Sequence, residues 1–427
     1  MKAPGDLRET MEPDPSANKE AGTVRSDIVR HFAALVVLAS LGTAAYWTLR
    51  LAYADRLFHT GVSAAVVRAR ELAPGNATYF TAAGDFNEPP ILKTAVALDP
   101  YYARGWIELG LGAELAGDTA RAERLLLEAA RVDKTYEPRW TLANFYYRRG
   151  AREGLWRWAK KALEIAYQDQ TPLFLLCWRM SSDRAEILNG AIPSQPRTLA
   201  QYLSFLIQQD NLDAAEAVGD LLAPQAGEAE TPLLLFYCDR LLQKGRDRSA
   251  LRFWNTLCLR HRIGRQPLQP GSGVSLTNGD FSAVPLETAF DWRLQRAEGI
   301  AFAVPAGPAG GLRASFSGNQ PEVTRVLEQV LPLVPSRRYR LRFSYRTEGV
   351  APGSGLRWEV ARLTGGGEWS AGSADLYGEN WKEEEFDFTT PPDMGSGRLA
   401  LSYRRALGTT RIEGSVWLRK VSLDFAP

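Results

Sequence analysis

Regular alternation of apolar and polar residues runs through the last third of the chain. Residues 339–346 read YRLRFSYR, in which aromatic and apolar side chains alternate with arginine and serine. Residues 356–361 and 398–404 show the same alternation, again with arginine on polar positions. Because neighbouring side chains of a strand point to opposite sheet faces, this pattern predicts strands with one buried and one solvated face. Several such segments separated by Gly and Pro clusters predict an antiparallel β-sandwich over residues 276–427.

Residues 54–264 are helical throughout by their pattern and contain a repeat. Asp99 and Trp106 recur 34 residues later as Asp133 and Trp140, and two looser units follow at an offset of 35 after a break in register. This period, with small residues where two helices would approach, resembles the tetratricopeptide repeat. The resemblance implies a helical stack with a groove for a protein partner. A spacer that holds the sandwich away from a membrane is the alternative.

An uncharged run from residue 32 to residue 49 stands near the N-terminus, between Arg30 and Arg50. As a helix its length is about 27 Å, which is enough to cross the apolar core of a bilayer. The pattern predicts a single transmembrane helix within residues 28–53. A buried helix of a soluble protein and a cleaved signal peptide are the alternatives. The preceding residues 1–27 are rich in Pro, Ala, Gly and charge, which predicts a disordered tail.

Five short features of the C-terminal segment follow one another in a characteristic order. They are Leu276-Thr277-Asn278-Gly279-Asp280-Phe281, Trp292, Glu328-Gln329-Val330 followed by Tyr339-Arg340-Leu341, Asn380-Trp381 before Phe386-Asp387-Phe388, and the closing Trp417 to Leu423. Their order and spacing resemble the CenC-like carbohydrate-binding modules of bacterial glycan-active proteins. The resemblance implies a jelly-roll sandwich and a glycan ligand, while the site itself decides function.

The closing strand departs from that family at one place. Members commonly carry an acidic pair there, and one of its carboxylates often helps to hold a structural calcium. The matching positions in this chain are Arg419 and Lys420. Since calcium requires several oxygen ligands, we expect no calcium at this strand.

Aromatic side chains are the first candidates for a glycan site, because flat rings stack against the C–H face of a sugar. Trp292 and Trp358 match core positions and are expected to be buried. Trp369 follows a Gly-rich stretch, so we expect an exposed ring there. Tyr377 and Trp381 complete the aromatic candidates.

Arginine supplies the second set of candidates. Residues 271–427 contain 18 basic and 18 acidic residues, and 16 of the basic residues are arginine. The guanidinium group matches a carboxylate with two parallel hydrogen bonds, which favours an acidic polysaccharide as ligand if the arginines share one sheet face. A solvated outer face is the alternative. The candidates are Arg340, Arg342, Arg346, Arg357 and Arg404.

Composition and motifs argue against several other functions. The net charge of +2 and the absence of a lysine run give no indication of nucleic-acid binding. Three cysteines lie in apolar segments without zinc-type spacing, so we expect buried free thiols, with a Cys238–Cys258 bridge as the alternative. The three histidines and the lack of phosphate-loop or hydrolase motifs indicate no catalytic residue, cofactor or metal. The carboxylates Glu359, Asp375 and 383–385 are expected on a solvated face rather than as a catalytic pair.

The sequence therefore predicts a multidomain protein with a transmembrane helix, an all-α repeat domain (54–264), a loose linker (265–275) and an all-β jelly-roll sandwich (276–427). The predicted function is a non-catalytic protein of the bacterial inner membrane that docks a protein partner and binds a glycan, in polysaccharide assembly or export. Flanking charges give no orientation, so the extracytoplasmic placement of the C-terminal domains follows from the family resemblance. A structural scaffold whose sandwich contacts proteins is the alternative.

Overall fold

The computed structural model describes residues 15–80, 89–304, 311–364 and 367–427, with side chains from residue 30 onward except that of residue 89. Two compact units, Met1–Phe145 and Tyr146–Pro427, divide the chain. The fold class predicted from the sequence is confirmed, because helices occupy the N-terminal part and two antiparallel sheets form a sandwich at the C-terminus.

The described part of the chain contains thirteen α-helices before the sandwich. They are α1 (Pro15–His59), α2 (Ser63–Leu72), α3 (Pro89–Leu98), α4 (Ala103–Leu115), α5 (Thr119–Val132), α6 (Tyr136–Arg148), α7 (Arg152–Leu163), α8 (Thr171–Met180), α9 (Arg184–Ala191), α10 (Pro196–Gln208), α11 (Leu212–Leu222), α12 (Thr231–Gln243) and α13 (Asp247–Leu259).

Helix α1 is long and apolar enough over Arg30–His59 to cross a membrane or to be a signal sequence, and its uncharged residues 32–49 are exposed. The buried-helix alternative therefore does not fit this helix. The backbone is helical from Pro15, whereas the sequence predicted a disordered tail through residue 27. Ala, Lys and Glu in this stretch favour propagation of a helix that has already formed. Residues 1–14 of the predicted tail lie outside the described residues.

Helices α4 and α5 show how a repeat pair packs. A Cβ at Gly110 would lie 2.7 Å from the Leu126 side chain, so this glycine permits the close approach of the two helices. The Asp118 carboxylate accepts a hydrogen bond from the Arg121 amide at 3.0 Å and caps α5. In the second unit, Gly219 of α11 lies against the Phe253 ring of α13 in the same manner.

The sandwich has two five-stranded antiparallel sheets. The strands are β1 (Arg293–Leu294), β2 (Ile300–Ala303), β3 (Leu312–Ser317), β4 (Val323–Pro332), β5 (Arg338–Glu348), β6 (Leu356–Arg362), β7 (Ser370–Gly372), β8 (Lys382–Thr389), β9 (Ser396–Arg404) and β10 (Glu413–Phe425). The first sheet has the order β1-β4-β9-β6-β7, and the second sheet has the order β2-β3-β10-β5-β8. Trp292 and Trp358 are fully buried between the sheets, as predicted.

The opening Asn-Gly motif holds the start of the sandwich to its last strand. The Asn278 side chain bonds both the amide and the carbonyl of Ala283, and the Asn278 carbonyl accepts from Trp292 Nε1 at 3.0 Å. The Gly279 carbonyl accepts from the Val421 amide at 2.8 Å, and a Cβ at Gly279 would lie 1.9 Å from the Val421 oxygen. Asn278 and Gly279 therefore have a structural role at the start of the sandwich.

Residues 265–275 pack against the protein instead of forming a loose linker. Arg265 forms an ion pair of 2.7 Å with Asp291, and the two side chains are only 6% and 0% exposed. Asn255 of α13 bonds both the amide and the carbonyl of Leu268 at 2.8 Å. The Pro, Gly and Ser residues of this segment indicate a boundary between the helices and the sandwich. The segment is held in place by contacts with residues that are distant in sequence.

The three cysteines are free and buried, in agreement with the main expectation and not with a Cys238–Cys258 bridge. The Cys238 thiol lies 3.6 Å from the Ala250 carbonyl and the Cys258 thiol 3.6 Å from the Gln266 carbonyl. Burial raises the pKa of Cys258 to about 12. A protonated thiol in this setting acts as a small apolar side chain.

Candidate functional site

The outer face of the second sheet brings two tryptophans and three arginines together. In the strand register, Trp417 of β10 pairs with Arg313 of β3 on one side and with Arg346 of β5 on the other. The neighbouring β10 residues Val416 and Leu418 are buried in the core. Since strand side chains alternate, the Trp417 ring lies on the outer face.

Both neighbouring arginines lie over the Trp417 ring. The Arg346 Cζ is 3.9 Å from the ring centroid, and the Arg313 Cζ is 5.0 Å from it. Arg313 also donates to the Ser415 hydroxyl at 3.1 Å. A guanidinium over an indole is attracted by the negative face of the ring, and the stacking limits the freedom of the arginine side chain.

Trp381 extends this row at the start of β8. The following residue, Lys382, pairs with Tyr345 of β5, which places Trp381 beside Arg346. The Arg419 Cζ lies 4.0 Å from the Trp381 ring centroid, and the Trp381 side chain is 37% exposed. The set Trp381, Trp417, Arg313, Arg346 and Arg419 is called the tryptophan–arginine surface below.

Arginines elsewhere on the same sheet face are neutralised by carboxylates. Arg340 forms an ion pair of 2.8 Å with Asp387, and Arg342 contacts both Glu385 and Asp424 at 3.2 Å. The Arg340 guanidinium holds the pKa of the Asp387 carboxyl below its ordinary value. These cross-strand pairs stabilise the sheet and compete with any acidic ligand.

Arg313, Arg346 and Arg419 differ from those paired arginines. Within the described ranges, no Asp or Glu oxygen lies within the 4.0 Å ion-pair distance of any of the three. In the described residues these three guanidinium groups contact indole rings and serine hydroxyls, which are neutral and leave the positive charges uncompensated. An acceptor with a negative charge would find donors here that need not release another carboxylate first.

The five candidate arginines do not share one face. Arg340, Arg342 and Arg346 lie on β5 of the second sheet, whereas Arg357 lies on β6 and Arg404 on β9 of the first sheet. Alternation within a strand shows which residues are outside, but it does not show to which sheet the strand belongs. The sequence favoured an acidic polysaccharide on the condition that the five arginines share one sheet face. Only three of the five meet this condition.

Trp369 is not the exposed platform that the Gly-rich stretch suggested. Its ring is partly buried against the core and lies 6.1 Å from the Phe388 ring centroid. The Trp369 carbonyl accepts from the Arg362 amide at 3.1 Å, which turns the chain back towards the first sheet. Tyr377 is 42% exposed, with the Lys382 amine 4.4 Å from its ring centroid.

Sequence reasoning missed Arg313, Trp417 and Arg419 as site candidates. The sequence does contain a signal for two of them. Trp417 and Arg419 alternate with the apolar Val416 and Leu418 in the closing strand, which places both on its outward-facing positions. Trp417 matches the closing feature of the family resemblance, and Arg419 stands at a calcium-ligand position of that family, so neither match by itself indicates a glycan site. Lys420 adopts a positive φ of 53° within the irregular stretch of β10 between Arg419 and Ser422.

Three of the five carboxylates considered for glycan hydrolysis have structural contacts. Asp375 accepts from the Gly355 amide at 2.9 Å, and Glu384 accepts from the Tyr345 hydroxyl at 2.9 Å. Glu385 pairs with Arg340 and Arg342. Within the residues that the structure describes, no three His, Cys, Asp or Glu side chains are grouped to hold a metal ion.

Comparisons with known proteins find solved structures that resemble parts of the chain at low sequence identity. No protein-family model matches the chain, and no curated protein sequence matches it. A solved CBM4 structure is 15% identical, covers 36% of this chain and 100% of its own, and has a TM-score of 0.27. A Family 16 Carbohydrate Binding Module-2 is 17% identical over 31% of this chain and 89% of its own, with a TM-score of 0.23. Yeast Tom70 is 16% identical over 47% of this chain and 43% of its own, with a TM-score of 0.27. TM-scores this low carry no functional argument, so function is argued below from the contacts alone.

Proposed function

We propose that the chain is a non-catalytic, membrane-anchored protein of the bacterial envelope that binds an acidic glycan through the tryptophan–arginine surface. The observation that carries this proposal is the placement of the Arg313, Arg346 and Arg419 guanidinium groups over indole rings without a carboxylate partner in the described residues. Arg313 and Arg419 already donate to the hydroxyls of Ser415 and Ser344. Within the described residues Arg346 has no such bond, and its N–H edge is open to a ligand. That edge matches the carboxylate of a uronic acid unit with two parallel bonds.

The two indoles give the same surface a means of contacting the sugar ring. Trp381 is more than one-third exposed, and Trp417 is partly exposed. Their free ring surface can contact C–H groups while the arginines bind the charged groups. Such a combination of apolar area and a few directed polar groups is typical of small-ligand and glycan sites.

The remaining parts of the proposal concern location and partner. Helix α1 would anchor the chain in the inner membrane, and the sandwich would lie outside the cytoplasm, where acidic polysaccharides are assembled or exported. The repeat helices would dock a protein partner of that process, because stacked helix pairs present a long groove.

The experiment that tests the proposal measures binding of the full chain, solubilised in detergent, to polygalacturonate and to dextran. We expect polygalacturonate to bind and dextran to bind weakly. We also expect affinity to fall between about 50 mM and about 500 mM NaCl, because salt screens partly exposed charges. Arg346→Gln should reduce affinity about 10-fold, the effect of one lost charged hydrogen-bond pair.

Arg340→Gln is the matched control, since Arg340 lies on the same strand and sheet face but is paired with Asp387. It should change affinity by less than about 2-fold. An equal loss in both variants would show a diffuse charge effect instead of a site. Failure of the folded chain to bind either polysaccharide would contradict the proposal and favour a scaffold whose sandwich contacts proteins.

A further inference from the structure

A cavity of about 360 Å³ lies between the last repeat helices and the first sheet. Its wall is the end of α12, with Asp239, Leu242 and Gln243. Its floor is the outer face of β1, β4 and β9, and its far side is the turn after β6 at Leu363 and Thr364. The tryptophan–arginine surface is on the other sheet, so the two sites share no residue.

The strand register sets the floor of this cavity. Arg293 of β1 pairs with Glu328 of β4, and Val330 of β4 pairs with Arg398 of β9. The Arg398 Nε lies 3.3 Å from the Glu328 carboxylate, and each of these side chains is about one-quarter exposed. The floor thus presents a guanidinium and a carboxylate beside an aliphatic side chain.

The helix side of the cavity is held in place by its own contacts. Asp239 pairs with Arg293 and accepts from the Thr288 hydroxyl at 2.6 Å. The Gln243 Oε1 accepts from Arg240 at 3.0 Å, which orients the amide. A Cβ at Gly245 would lie 3.7 Å from Thr364 Oγ1, so Thr364 lies beside the end of α12. Asp239 is therefore held by several contacts, and the exposed side chains of Gln243 and Thr364 border the cavity.

The charges that line the cavity cancel. Two guanidinium groups, Arg293 and Arg398, face two carboxylates, Asp239 and Glu328, and each cation contacts one anion. An ionic ligand would have to displace one of these partners, which costs desolvation without a gain in charge balance. Hydroxyl groups both donate and accept, so a polyhydroxylated neutral ligand can bond to all four groups while the pairs persist.

We propose that this cavity binds a neutral mono- or disaccharide, held by the charged pairs of the floor, the Gln243 amide and the Thr364 hydroxyl. The volume is at the lower end of the range for ligand sites, which is about 300–1,000 Å³. Leu363 supplies apolar surface for the C–H groups of the sugar, and the buried Leu242 and Val330 lie at the base of the cavity. Because the sugar would contact both α12 and the sandwich, its binding would stabilise the junction of the two.

The experiment uses the full chain in detergent with maltose, cellobiose and lactose as neutral probes and glucuronate as a charged probe, measured by saturation-transfer NMR and titration calorimetry. We expect at least one neutral disaccharide to bind with a Kd of about 0.1–1 mM. Gln243→Leu and Thr364→Val remove hydrogen-bonding atoms without breaking an ion pair, and each should weaken binding at least about 5-fold.

Gln208→Leu is the matched control, because Gln208 is the exposed last residue of α10 as Gln243 is of α12. It should leave disaccharide affinity unchanged, and so should Trp417→Leu on the other sheet. Absence of binding by all three neutral probes would overturn the inference. Binding of glucuronate alone, or disaccharide binding lost in Trp417→Leu but kept in Gln243→Leu, would also overturn it. The Gln243→Leu variant should still bind polygalacturonate, because Gln243 is not part of the tryptophan–arginine surface. This measurement distinguishes failure of the cavity proposal from failure of the proposed function.

Discussion

The Trp254 ring of α13 packs edge-on against the Phe290 ring of the sandwich, with 5.9 Å between ring centroids, and both side chains are fully buried. Two large rings thus close the end of the repeat helices against the first loop of the sandwich. A helical stack leaves its terminal helix with an uncovered apolar face, which a cap must cover. In this chain the sandwich performs that role for α12 and α13.

Asp239 is the polar counterpart of this apolar contact. Its carboxylate accepts from the Thr288 hydroxyl at 2.6 Å and from the Ala289 amide at 2.8 Å, and it also pairs with Arg293. We expect Asp239→Ala to destabilise the junction by about 2–4 kcal/mol, because charged hydrogen bonds in a partly buried setting are lost together. Thermal unfolding of the full chain measures this.

Asp220, a carboxylate in the repeat helix α11, provides the control for that prediction. Asp220 pairs with Arg252, and both side chains are about half exposed. Asp220→Ala should therefore cost less than about 1 kcal/mol. Equal shifts of the unfolding midpoint in the two variants would contradict a special role of Asp239.

Gly279 tests the role of the opening motif. Any Cβ there would meet the Val421 carbonyl at 1.9 Å, a backbone atom that is itself held in the last strand. We expect Gly279→Ala to destabilise the sandwich by about 2–4 kcal/mol through this clash. Gly271→Ala is the control, since a Cβ at Gly271 meets nothing within 4 Å. An unchanged melting temperature for Gly279→Ala would show that the contact relaxes freely.

Trp369 and Trp381 are expected to affect different properties. Trp369 packs on the core beside Phe388, so Trp369→Ala should reduce stability by about 1–3 kcal/mol and leave polygalacturonate affinity nearly unchanged. Trp381→Ala should do the reverse, because its ring is exposed beneath Arg419. Thermal unfolding and binding titrations on both variants provide the comparison, and loss of affinity in Trp369→Ala alone would contradict it.

The buried thiols give a prediction about pH and chemical modification. Burial raises the pKa of Cys177 to about 12 and also raises that of Cys238 above its ordinary value of 9.0. We expect iodoacetamide at about pH 8 to leave the folded chain unlabelled and to label three thiols after guanidinium denaturation, as read by intact mass.

The same shift sets the direction of a pH effect. A raised pKa in the folded state means that the unfolded chain releases these protons first, so the stabilising contribution is complete below pH 9.0 and is lost as pH rises towards about 12. Replacing Cys177 by Ser should flatten this alkaline decline. Rapid labelling of the native protein would instead show that the helices open locally on the time scale of the reaction.

Some structural features could be predicted from the sequence because they depend on residues that are close together in the chain. Period-two alternation in residues 339–346 predicted β5, and the 34-residue offset of Trp106 and Trp140 predicted helix pairs. The Asp118 carboxylate likewise caps α5 through the amide of a residue only three positions later. Such signals depend on neighbours a few residues away, so the sequence contains them directly.

The candidate site was predicted only in part. Arg340, Arg342, Arg346 and Trp381 lie on or beside the same sheet, but the residues that stack on or flank them include Arg313, Trp417 and Arg419 from other strands. Whether an arginine is paired depends on which strand lies beside it. Arg340 meets Asp387, and Arg346 meets Trp417, although the two arginines are only six residues apart on one strand.

Sequence patterns alone were enough to predict helices before a sandwich, the buried and solvated faces of single strands, the apolar N-terminal helix and the burial of Trp292 and Trp358. The tertiary fold sets which strands are neighbours, which arginines lack a carboxylate partner within the described residues, that Trp369 turns inward, and that Asn255 and the Arg265–Asp291 pair hold the segment after α13. The physical reason is range: secondary structure follows from contacts along the chain, whereas charge pairing and exposure are set by contacts between residues far apart in it.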